Sequence, residues 1–102
     1  MKKELQDRLF NDFPDLYKGR FEPITQNLMQ FGFCCDDGWF DLIYELSSKL
    51  FARFRTGMFK ASQVKEKLGG LRFYIDFERN VDKGDIKLVY DLIQEYEDKS
   101  LR

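Results

Sequence analysis

Residues 63–74 read Gln-Val-Lys-Glu-Lys-Leu-Gly-Gly-Leu-Arg-Phe-Tyr and hold the densest chemistry in the chain. Two alternating runs meet at Gly69-Gly70, a pair that can supply the positive φ angles of a tight β-hairpin turn. A two-residue turn there sets Leu68 opposite Leu71, Lys67 opposite Arg72, Lys65 opposite Tyr74 and Gln63 opposite Asp76. That register gathers Lys65, Lys67 and Arg72 with Tyr74 and Gln63 on one polar face. Cations beside an aromatic ring suit an acidic protein surface. They also suit single-stranded nucleic acid, whose bases stack and whose phosphates need neutralising, although no RNP-like aromatic motif is present. Glu66 falls on the opposite, apolar face with Val64, Leu68, Leu71, Phe73 and Ile75. An unpaired carboxylate is costly there, so Glu66 needs a partner, a place at the sheet edge, or a different register. A longer loop with a bulge would shift the faces by one residue.

The other reactive side chains make weaker sets. The chain has no His, which excludes Ser-His-Asp triads, Cys-His pairs and His-ligated zinc. Cys34 and Cys35 are neighbours, so a disulfide between them would be strained, and two thiolates alone make a poor zinc site. They are expected to be reduced thiols. Asp36, Asp37 and Asp41 precede or open a helical pattern, where carboxylates cap or complement the helix dipole better than they hold a cation. Gln63-Val64-Lys65 has the outline of a metal-nuclease strand but places Gln where a carboxylate should help hold the metal. Gly69-Gly70 leads into a strand and lacks the Gly-Lys-Ser/Thr ending of a phosphate loop. No nucleophile has a base beside it. The expectation is a non-enzymatic chain with no catalytic residue, no metal and no cofactor.

The elements that must position the hairpin follow from hydrophobic spacing. Leu5, Leu9 and Phe13 predict a helix over 2–13, stopped by Pro14. Pro23 suits the first position of a second helix with Ile24, Leu28 and Phe31 on one face and Gly32 as its C-terminal cap. Trp39, Ile43, Leu46, Leu50 and Phe54 form one stripe, widened by Phe40, Tyr44 and Phe51, and predict a helix over 38–56. Asp36 or Asp37 would cap it and Gly57 would end it. Leu71, Phe73, Ile75 and Phe77 alternate with polar residues, as in a half-buried strand. Met58–Ala61 can extend the preceding strand, and Tyr17–Phe21 can add a short edge. Ile86, Val89, Ile93 and Tyr96 share one face of a last helix, with Asp82 and Asp85 early and Lys99 and Arg102 late. The predicted architecture is α+β: about four helices packed on a small antiparallel hairpin sheet, in a single domain over 1–102. Trp39, Gly69, Gly70 and Glu66 are its expected structural positions.

A chain of 102 residues, 43% hydrophobic with 11 Phe, can bury a core. Lys and Arg total 17 against 18 Asp and Glu, which argues against a generally basic nucleic-acid binder and against an acidic DNA mimic. The distribution is uneven. Residues 49–72 carry seven cations against Glu66 alone, a net of +6, whereas 76–98 carry eight acids against three cations, a net of −5. These segments either neutralise each other or face a partner. The charged start leads into no apolar stretch, and no window approaches a membrane span, so a cytoplasmic protein is expected. An uncovered hairpin edge would invite pairing of two chains into a homodimer.

Gly38-Trp39-Phe40-Asp41-Leu42-Ile43, followed by the string Gln63–Tyr74, resembles a family of small phage and prophage proteins with a Gly-Trp-Phe helix start and a Lys-Glu-Lys-Phe-Gly-Gly-Leu-Arg-Phe-Tyr hairpin. The likeness covers residues 34 to 77. It implies a genomic setting rather than an activity; by analogy with compact phage proteins that lack catalytic residues, the expectation is binding of a host or viral protein, as anti-CRISPR and other anti-defence inhibitors do. Leu68 stands where those proteins carry Phe. Many of them continue into a Cys-containing tail that looks metal-binding; this chain has no Cys after 35. Binding through Lys65, Lys67, Arg72, Tyr74 and Gln63 is the first expectation, and nucleic-acid binding through the same face is the second.

Overall fold

In the computed structural model, which describes residues 1–102, the hydrophobic stripes become α1 (Lys3–Asp12), α2 (Phe40–Arg53) and α3 (Lys83–Lys99). Three strands complete the α+β architecture: β1 (Phe33–Cys34), β2 (Phe59–Lys67) and β3 (Gly70–Phe77). They form one mixed sheet in the order β1-β2-β3, with β1 parallel and β3 antiparallel to β2. Residues 58–61 thus extend the first hairpin strand as expected, except for Met58. Tyr17–Phe21 adds no strand; Lys18–Phe21 is a short 3-10 turn, and the third strand is Phe33–Cys34.

One core of 22 buried residues joins the helices to the apolar face of the sheet. Ile43, Leu46 and Leu50 of α2 are buried, whereas Phe51 is 67% exposed and so lies outside the stripe it was expected to widen. Trp39 and Phe54, at the ends of that stripe, are only partly buried against the core. From α3 come Val89, Leu92, Ile93 and Tyr96, with Ile86 half-buried. From the sheet come Val64, Leu71, Phe73 and Ile75. Asp82 caps α3, its carboxylate accepting the Gly84 N–H at 2.8 Å. Asp36 and Asp37 do not cap α2: Asp37 instead accepts the Lys2 N–H at 2.7 Å. The helix ends at Arg53, four residues before Gly57, whose N–H is held by Asp15 at 3.0 Å.

The second helix expected after Pro23 is absent. Residues 23–31 form turns and one 3-10 turn at Met29–Phe31, leaving Ile24, Leu28 and Phe31 exposed. The buried members are Met29 and Asn27, which is 2% exposed. The Asn27 side-chain N–H donates to Ala61 O at 3.0 Å, and its carbonyl accepts the Met29 N–H at 2.8 Å. Leu28 N–H donates to Ser62 O, and Ala61 N–H to Leu16 O. The segment therefore satisfies the β2 edge with irregular backbone, and a continuous helix would forfeit those bonds.

Side chains occupy backbone donors on both outer edges. Phe33 N–H on β1 donates to Gln6 Oε1 at 2.8 Å. On β3, Leu71 N–H donates to Ser100 Oγ and Phe73 N–H to Glu97 Oε2, each at 2.9 Å. The hairpin edge expected to invite a second chain is thus occupied at these positions by the end of α3. Filling edge donors in this way removes a template for strand addition.

Candidate functional site

The hairpin turn is Leu68-Gly69, not Gly69-Gly70. Lys67 pairs with Gly70, and both turn residues have positive φ, +54° and +81°. Lys65 therefore faces Arg72 and Gln63 faces Tyr74, a slip of two residues from the expected register. An even slip leaves every side chain on its original face. Burial of Val64, Leu71 and Phe73 therefore cannot discriminate between the two registers. The end of α3 does discriminate: Ser100 takes the Leu71 N–H, and Leu101 lies close to Gly70, where an added Cβ would stand 3.0 Å from Leu101 Cδ2. Gly70 is thus a buried strand residue at a close approach, rather than a turn residue. A bulge between Ala61 and Gln63 absorbs the remaining offset.

The structure brings Lys65, Lys67, Arg72, Tyr74 and Gln63 onto the polar face of the sheet, opposite the helical core. Lys67 and Tyr74 are exposed; Lys65, Arg72 and Gln63 are half-buried. No carboxylate lies within 4.0 Å of Lys65, Lys67 or Arg72. The Arg72 guanidinium donates to Leu71 O at 3.0 Å. By contrast, Lys60 at the other end of the strand pairs with Glu22 at 2.8 Å, and hydrogen bonding to that carboxylate raises its pKa above the usual lysine value. None of the eight ion pairs joins a cation of 49–72 to an acid of 76–98. Lys49, for example, turns to Glu45 of its own helix. The basic and acidic segments do not cancel through direct contact.

Ile24 and Leu28 border the same face, where they line a shallow depression with Gln63 and Tyr74. The helical reading of 23–31 puts these two residues on one face of a helix; the irregular segment instead sets them beside Gln63 and Tyr74. Leu68, expected on the apolar face opposite Leu71, is instead an exposed turn residue, because the turn begins one residue before the Gly-Gly pair.

Glu66 resolves its expected conflict by position. It is exposed at the strand end, where its carboxylate accepts the Gly69 N–H at 3.4 Å. It borders a second depression with Cys34, Cys35, Asp36 and Trp39. No three or more Cys, Asp or Glu side chains converge there or elsewhere as a metal-ion set. Both thiols are free; Cys34 is exposed, and burial pushes the Cys35 thiol up to about 11.

No helix is long and apolar enough to cross a membrane. Comparison of the chain with protein-family models, curated proteins and solved structures gives no match.

Proposed function

We propose that this chain is a non-catalytic interaction module that grips an acidic surface of a protein partner with the polar face of its sheet. The observation that supports this is the absence of any carboxylate near Lys65, Lys67 and Arg72, on a face that also offers Tyr74 and Gln63. Lys65 and Arg72 stand directly opposite each other, an arrangement that costs stability within the chain and is relieved by an external acid. Exposed Ile24 and Leu28 beside Tyr74 add the apolar and aromatic content that protein interfaces use at their centre. From the sequence resemblance to small phage proteins we further propose that the module acts in a host cytoplasm, as an inhibitor of a host system such as a defence complex.

The test is affinity capture from host extract with the wild-type chain and the Lys65→Glu/Lys67→Glu variant. A partner retained by the first and lost by the second, with association slowed by salt, is the expected outcome. Equal capture by both variants sinks this surface. The second reading, nucleic-acid binding, draws on Tyr74 two residues from Arg72. It requires a complex with single-stranded oligonucleotide whose affinity falls steeply with salt.

A further inference from the structure

We propose that Leu68 is an apolar anchor that inserts into an acid-rimmed apolar recess on the protein partner; this rests on the interaction reading above. Two rules of local structure are broken at this one residue. Its φ of +54° belongs to the left-handed region, where the Cβ of an L-residue crowds the following carbonyl. Two-residue hairpin turns with positive φ at both positions favour Asn-Gly or Asp-Gly for that reason. The only other non-glycine residue with positive φ is Asn80, an amino acid suited to that conformation. Leu68 is also 89% exposed, the highest value among the large hydrophobic residues of the chain. Neither the turn nor the core gains from a leucine here.

The surroundings describe the other half of the contact. A Cβ added at Gly69 would meet nothing within 4 Å, so the turn stands free in solvent. Lys67 immediately precedes the anchor, and the cross-strand pair Lys65 and Arg72 stands next along the polar face, none with a carboxylate of its own. An apolar tip beside unpaired cations complements a recess with aliphatic walls and a carboxylate rim. The desolvated centre would supply affinity and the charged margin orientation. A nucleic acid rewards the cations but gives an aliphatic side chain no stacking partner, so the tip favours a protein. Local conflicts of this kind persist in natural sequences where function requires them.

The experiment compares the full-length wild-type chain, Leu68→Asn and Lys65→Glu/Lys67→Glu, with a benzophenone photo-crosslinking residue placed at position 68 and, as control, at exposed Leu88. Leu68→Asn is expected to raise the melting temperature by roughly 3–6 °C, because Asn-Gly relaxes the turn. Its capture of partner from host extract is expected to fall at least tenfold. The adduct formed from position 68 should map to apolar residues bordered by Asp or Glu on one protein, with no such adduct from position 88. A melting temperature unchanged or lowered by Leu68→Asn removes the premise of a strained turn and overturns the proposal. Full capture by Leu68→Asn with loss by the charge-reversal variant overturns the anchor and leaves the basic-face reading standing. Loss by Leu68→Asn with full capture by the charge-reversal variant overturns the acidic rim and the basic-face reading together. No adduct at position 68, or an adduct to nucleic acid, overturns the anchor.

Discussion

Tyr17 donates a hydrogen bond of 2.6 Å to Ser47 Oγ in the core, and Ser47 in turn donates to Ile43 O at 2.8 Å. Both side chains are fully buried. The pair fastens the connector after α1 to the middle of α2, and the Tyr17 ring packs against Phe10, Phe33 and Phe73. Its removal should be asymmetric. Tyr17→Phe deletes one bond and leaves Ser47 satisfied by Ile43, a loss of about 1 kcal/mol. Ser47→Ala strands the buried phenol without a partner and should cost more, about 1–3 kcal/mol. Urea unfolding of both singles and the double variant checks this, with the double losing less than the sum.

The same burial makes stability fall at alkaline pH. Loss of solvation holds the Tyr17 phenol well above its ordinary value, so the folded chain keeps a proton that the unfolded chain releases. A raised folded value means the stabilising contribution is complete below pH ~10 and declines as pH rises above it, by roughly 1.4 kcal/mol per unit. Cys35, raised from 9.0 to about 11, adds to the decline from pH 9 upward. Tyr17→Phe should flatten the alkaline limb of a plot of urea midpoint against pH.

Asn27 holds the irregular segment beside β2 and should tolerate little. Asn27→Ala leaves Ala61 O and the Met29 N–H without their partners and should cost about 2–4 kcal/mol. Gly19→Ala should act through the same residue, because its Cβ would lie 2.1 Å from Asn27 Nδ2. Ile24→Ser, at an exposed position nearby, should change stability by less than about 0.5 kcal/mol. Thermal melts of the three variants decide the ranking.

Charge reversal at Lys65 should stabilise the isolated chain. Lys65 and Arg72 are directly opposed, and Lys65→Glu replaces a repulsive cross-strand pair with an attractive one, a gain of about 0.5–1 kcal/mol. The gain should shrink in high salt. A melt in low and high salt tests it, and a loss of stability on reversal would mean that Lys65 has a structural role.

Opening the β3 edge should cause self-association. Ser100→Ala with Glu97→Ala frees the Leu71 and Phe73 N–H groups that these side chains now accept. Light scattering at increasing concentration should show growth in the double variant and none in the wild type.

Much of this fold is legible in the sequence because some elements are specified by their own periodicity. The stripes of α2 and α3, and the alternation of Leu71, Phe73 and Ile75, work through local spacing that any compact arrangement must bury. The membership of the polar face, with Lys65, Lys67, Arg72, Tyr74 and Gln63, follows from that alternation alone. Tertiary structure decided the features whose alternatives look equal locally. The two hairpin registers differ by an even slip, so the same residues are buried in each, and contacts of Ser100 and Leu101 some thirty residues away select one. Ile24, Leu28 and Phe31 have helical spacing, yet the unpaired edge of β2 draws their backbone into bonds with Ser62 and Ala61 instead. β1 is two residues long, too short to carry any period. The +6 and −5 segments were visible as composition, but only three-dimensional placement shows that their ion pairs form within helices or with Glu22. Coulombic pairing is set by distance in space, and so the cations left unpaired on the hairpin emerge from the fold rather than from the sequence.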